Sequence, residues 1–139
     1  MRPFLDSSAL AKRYMEEPGA GAVSERLRFA GAAISRLAEI EVASAIGRRA
    51  HAGDLSGTVR EQLLAELDDD LRALRVVEVG LDVVARARGL LRLHVLRAGD
   101  ALQLASVLAL QETLGTPLEF ICFDQRLAAA ARAEGLATV

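Results

Sequence analysis

The chain has 139 residues, 52% hydrophobic and 26% charged, enough apolar content to close a core and enough to exclude a wholly disordered chain. Seventeen basic residues against nineteen acidic leave a net charge of −2, so no overall field draws the molecule onto nucleic acid. One cysteine, Cys122, and two histidines exclude an internal disulfide and a zinc-ribbon ligand set.

No run reaches the roughly 18 to 20 apolar residues of a membrane span, and no basic-then-apolar leader opens the chain. A reduced, cytoplasmic protein with no membrane partner is expected. Lys12 is the only lysine, which excludes chemistries that need one at the end of a late strand.

In chain order, residues 2–5 read as a short buried strand that runs directly into a helix opening at Ala9. Residues 20–29 carry apolar positions at helical spacing, and residues 32–35 form a second short strand. Helices follow over 36–52 and 56–74, then a third strand over 76–79. Helices over 82–94 and 100–114 lead to a fourth strand over 118–123, a further helix, and an edge strand over 137–139. Gly53, Gly80, Gly115 with Pro117, and Gly135 stand where stops belong. Strands alternating with helices predict one α/β domain over residues 1–139, with a mainly parallel sheet of four to five short strands covered on both faces. Ligands of such sheets sit outside the carboxyl ends of the strands.

Three aspartates fall at such ends. Asp6 follows the first strand, Asp124 follows the fourth, and Asp100 opens a helix after Arg97-Ala98-Gly99. Each could simply cap a helix, a role worth ~1 kcal/mol, and Gln103 offers Asp100 a capping-box partner. Three of them on one small sheet could instead converge. Glu41 needs a different account. It lies four residues after Leu37 and four before Ala45, on or beside the apolar stripe of its helix, whereas Glu39 lies about 200° around the helix from it. A carboxylate at the core boundary needs a partner: a bound cation or an arginine such as Arg97. Four carboxylates without histidine or thiolate suit Mg2+ or Mn2+. Ser7 and Ser8 could add hydroxyl ligands or hold water. All four acidic groups are expected within about one coordination shell, where such a site activates water against a phosphodiester.

These residues also carry a family resemblance. The opening Phe4-Leu5-Asp6-Ser7-Ser8-Ala9-Leu10, with Lys12-Arg13-Tyr14 and Glu16-Glu17-Pro18-Gly19, resembles that of PIN-domain proteins, in particular VapC-type toxins. Ile34-Ser35-Arg36-Leu37 with Glu41-Val42 resembles the second acidic motif. Arg97-Ala98-Gly99-Asp100-Ala101-Leu102-Gln103 resembles the third, and Phe120-Ile121-Cys122-Phe123-Asp124-Gln125-Arg126-Leu127 the fourth. The similarity runs nearly end to end. It implies that Asp6, Glu41, Asp100 and Asp124 are catalytic metal-site residues of a Mg2+- or Mn2+-dependent endoribonuclease. It further implies an RNA substrate, a homodimer, and neutralisation by a VapB-type antitoxin. Cys122 and Gly99 depart from the pattern, where many relatives have a small hydroxyl residue and a bulky one.

Other readings are weaker. Position 8 is serine, where a haloacid-dehalogenase-like phosphatase needs a second aspartate, and no phosphate-binding P-loop motif is present. The rivals that stand are a catalytically silent PIN-like binding module and a solitary PIN nuclease without an antitoxin. Lys12, Arg13, Arg48, Arg49 and Arg126 flank the acidic motifs and could meet RNA phosphates. Asp68-Asp69-Asp70 reads as a solvated helix face, and His51 and His94 as cap or packing residues. Tyr14 and Phe29 are too few for an aromatic stacking platform.

Overall fold

The computed structural model describes residues 1–139. Its elements are β1 (Arg2–Leu5), α1 (Ser7–Met15), α2 (Ala20–Leu27), β2 (Ala33–Ser35), α3 (Arg36–His51) and α4 (Gly57–Ala73). They continue with β3 (Arg75–Val77), α5 (Leu81–Leu93), α6 (Ala98–Leu114), β4 (Leu118–Ile121), α7 (Gln125–Ala133) and β5 (Ala137–Thr138). The five strands form one sheet in the order β3-β2-β1-β4-β5, and every pair is parallel, as expected. β1 is central: Leu5 is in register with Ile34 on one side and with Ile121 on the other.

Strand alternation divides the core into two layers. Phe4, Ala33 and Phe120 face one side and pack with Leu104, Leu118 and Leu127 beneath α5, α6 and α7. Leu5, Ile34 and Ile121 face the other and pack with Leu10, Val23, Val42 and Ile46 beneath α1 to α4. Phe4 and Phe120 meet across the β1–β4 pair with ring centroids 6.1 Å apart. No single helix is long and apolar enough to cross a membrane.

Two details differ from the sequence reading. First, α6 begins at Ala98, not at Asp100, and Arg97 occupies the position before its first turn without a side-chain cap. Asp100 therefore lies inside the first turn and caps nothing, and Gln103 is buried rather than reaching back as a capping partner. Second, Asp70 is not part of a solvated face. The Arg13 guanidinium donates to it at 2.7 and 3.3 Å and the Tyr14 hydroxyl at 2.5 Å, tying α4 to α1. α4 buries Leu67 fully and packs Leu63, Leu64 and Leu71 half-buried on the same core, and this polar clamp adds to that packing.

Candidate metal and nuclease site

The four acidic residues lie at the carboxyl end of the sheet because of where their elements stop. β1 pairs with β4, and the Asp6 amide donates to the Ile121 carbonyl at 3.2 Å, so the residues that follow both strands emerge side by side. Asp6 and Asp124 each cap the helix they open: Asp6 accepts from the Ala9 amide at 2.8 Å and Asp124 from the Leu127 amide at 2.9 Å. Capping thus accounts for part of each, but not for Asp100.

The charges act on one another. Burial first, and then the charges of Asp124 and Glu41, push the Asp100 carboxyl up, while Arg97 partly offsets them. Asp6 is only 4% exposed. Burial raises its carboxyl to about 6, against hydrogen bonds from Ala9 and Ser8, and Asp100 adds to the rise. A raised carboxyl on Asp6 and on Asp100 is the effect of burial and of like charge at one end of the sheet.

Glu41 departs from expectation. The buried stripe of α3 is Ala38, Val42 and Ile46, and Glu41 is exposed beside it, so burial does not demand a counter-charge. Its partner is neither Arg97 nor a bare apolar wall. The Ser7 hydroxyl donates to Glu41 Oε1 at 2.8 Å and itself accepts from Gln103 Nε2 at 2.6 Å. Gln103 is 2% exposed, and its Oε1 is buried without a partner. A core glutamine held in this way fixes the serine and, through it, the carboxylate. Ser8 is likewise committed, donating to both Asp6 oxygens at 3.0 and 3.1 Å. The serines therefore orient carboxylates rather than standing free as ligands.

The expectation of a single shared coordination shell is too tight. No three of the acidic, histidine and cysteine side chains stand close enough to form a ready coordination group. Glu41 turns to Ser7, and Asp6 and Asp124 turn to their helix amides. The donor set still fits a hard divalent cation, being all oxygen, with repulsion between Asp100 and its acidic neighbours for the ion to relieve.

The basic candidates separate. Arg126 lines a hollow of about 280 Å3 with Arg97, Asp100, Asp124 and Gln125. Arg48, held by Ser44 at 2.8 Å, lines a second hollow with Ile40, Glu41 and Ser44. Arg13 is committed to Asp70, and Arg49 turns inward to the Met15 sulfur at 3.5 Å, so neither serves as a free phosphate contact. Lys12 lies over the Phe123 ring, its ammonium 4.7 Å from the centroid. Sequence reading gave Phe123 no role beyond the strand, and it assigned Arg97 to Glu41 and Gln103 to the cap of Asp100, which are not the contacts they make. Of the aromatics it weighed, Tyr14 is buried and Phe29 lies with Met1 and Pro3 at the opposite end of β1. The motif departures are accommodated. The Cys122 thiol donates to the Asp124 carbonyl at 3.4 Å, and Gly99 faces Glu41, where an added Cβ would sit 3.5 Å from Oε2.

The PIN domain model matches residues 4–133. Ribonuclease VapC45 of Mycobacterium tuberculosis is 35% identical over 134 residues, covering 95% of this chain and 90% of its own. Among solved structures, VapBC2 from Rickettsia felis, bound to a DNA fragment from its promoter, superposes with a TM-score of 0.68 at 13% identity. The match covers 100% of this chain and 98% of that one. A toxin–antitoxin complex from Klebsiella pneumoniae superposes at 0.64 and 16% identity, over 91% and 90% of the two chains. Fold, ordered motifs and matched length agree: the chain belongs to the PIN domain family, among its VapC-type ribonucleases.

Proposed function

We propose that residues 1–139 act as one nuclease unit, a VapC-type toxin that cleaves RNA internally and is neutralised by a VapB-type antitoxin. The observation that carries this reading is Asp100. It caps no helix, yet it stands within the charge of Asp124 and Glu41 and raises the carboxyl of Asp6. A first-turn position suits a carboxylate to the helix dipole, but the dipole does not call for three further carboxylates at the same end of the sheet.

Asp6, Glu41, Asp100 and Asp124 would hold the ion. A bound Mg2+ or Mn2+ supplies charge neutralisation at the scissile phosphate and activation of the attacking water. The protein's own residues do the positioning. Ser7 and Gln103 set the direction of Glu41, while Ser8 and the Ala9 amide set that of Asp6. Arg97 and Arg126 flank Asp100 and Asp124, where they can take the phosphates on either side of the cleaved bond.

The partner assignments rest on the toxin–antitoxin neighbour and on surface chemistry. Leu81, Val84, Leu91, Leu93 and Val95 are exposed on α5 and the turn after it, and Leu93, Val95 and Leu96 line one hollow. Exposed apolar groups of this kind serve association, here between two copies of the chain. The lone buried thiol suits a reducing, cytoplasmic setting.

The test is Asp100→Asn. With Mg2+ or Mn2+ the wild-type protein should cut RNA and stop when EDTA is added, while the variant should lose cleavage and keep its fold by circular dichroism. Full activity in the variant would refute the assignment.

A further inference from the structure

We infer that Phe123, with Lys12 over one side of its ring, is a stacking contact for an unpaired base of the RNA at the rim of the acidic site. The inference rests on the ribonuclease reading above and adds how the strand is held.

Four observations converge on this ring. Phe120, Ile121 and Cys122 are buried, but Phe123 remains 43% exposed at the point where β4 gives way to Asp124. The ring is fixed rather than loose. The Lys12 ammonium lies 4.7 Å from its centroid, well inside the ~6 Å reach of a cation–π contact. Gly19 also abuts the ring and the lysine stem: an ideal Cβ there would be 3.3 Å from ring Cε1 and Cζ and 3.4 Å from Lys12 Cδ. Gly19 also has φ +97°, a left-handed conformation that suits glycine, so the turn lets the backbone close onto the ring without a side chain in between. The lysine and the glycine thus hold the ring while 43% of the residue stays open to water.

The chemistry of this corner matches a nucleotide in its two halves. An aromatic face takes a base whatever its identity, and an ammonium beside it takes the phosphate. Lys12 is only loosely held by Glu17, at 3.5 Å, and a phosphate can replace that carboxylate. An apolar peptide would use the ring but gains nothing from the lysine. The base must be unpaired, since in a duplex its faces are covered by neighbouring bases. Phe123 immediately precedes Asp124, so a base stacked on it would belong to a nucleotide close to the cleaved bond.

The experiment compares wild type, Phe123→Leu and Phe123→Tyr. Binding of fluorescein-labelled single-stranded RNA of mixed sequence is followed by anisotropy in EDTA, with sodium polyphosphate as a base-free polyanion. Leucine keeps apolar bulk but loses the π-face, so RNA affinity should fall roughly tenfold. Tyrosine should stay within about twofold of wild type, and polyphosphate affinity should be the same for all three.

Unchanged RNA binding by Phe123→Leu would overturn the inference. So would equal losses for RNA and polyphosphate, or loss of a co-expressed antitoxin with RNA binding intact, which would make the ring a protein contact. Equal losses in both variants with matching drops in melting temperature would make it a packing residue and would also overturn the inference. Wild-type RNA cleavage in Mg2+ or Mn2+ is measured in parallel. Cleavage with normal Phe123→Leu binding removes only the stacking contact, whereas no wild-type cleavage removes the ribonuclease reading itself.

Discussion

Replacing Asp6 by asparagine should stabilise the metal-free protein at neutral pH. Asp6 is buried, and its carboxyl is raised from 3.8 to about 6, chiefly by loss of hydration. The folded state therefore holds this proton more tightly than the unfolded state does. The stabilisation is fully present below about pH 4 and is lost as pH rises through 6. A difference of about 2 in pKa corresponds to roughly 3 kcal/mol, so at pH 7 the wild-type fold carries a charged Asp6 at about that cost. Asparagine removes the charge and keeps an oxygen for the Ala9 amide, a cap asparagine makes as well as aspartate does. At roughly 3 °C per kcal/mol for a domain of this size, Asp6→Asn should melt about 8 to 10 °C above wild type in EDTA at pH 7. The gap should close towards pH 4 and narrow when Mn2+ is added to wild type. Calorimetry across pH 4 to 7 tests this. A gap independent of pH, or a variant less stable than wild type at pH 7, would refute the reasoning.

The other predictions concern neighbouring contacts. Gln103→Leu should preserve the fold but weaken Mn2+ binding and RNA cleavage by roughly tenfold, because Ser7 loses its donor and Glu41 its orientation; isothermal titration with Mn2+ measures the first. Asp70→Ala should cost about 2 to 3 kcal/mol in urea denaturation by stranding Arg13 and Tyr14, with RNA cleavage per folded molecule unchanged. Gly19→Ala should cost about 1 to 2 kcal/mol, since alanine must adopt φ near +97° and press on Phe123, and its melting temperature is the readout. Light scattering should give the mass of two chains, and Leu93→Arg should reduce it to one.

The sequence made some of this molecule easy to read. Short apolar runs bounded by glycine or aspartate announced β1 and β4, and the Asp after each announced the end of the sheet where the site lies. Asp100 was legible only as an acidic residue near a helix start. Its freedom from capping depends on α6 starting at Ala98, and helix boundaries are the least certain part of any pattern. Glu41 was reached for the wrong physical reason: a stripe drawn one position too wide placed it at the core boundary, when a serine and a buried glutamine hold it at the surface. The pairing of Arg13 with Asp70 spans 57 residues and leaves no local mark. Phe123 looked like strand core because the apolar run continues through it, and only the end of β4 at Ile121 turns it outward.

The strand order also bears on how the protein is made. β1 is synthesised first yet lies at the centre, and one of its two neighbours, β4, comes more than a hundred residues later. On the ribosome, Asp6 and Glu41 emerge early but cannot meet Asp124 until residues 118–133 have followed and β4 has slotted beside β1. The carboxyl end of the sheet, where the four carboxylates lie, is therefore completed in one late step, when β4 pairs with β1.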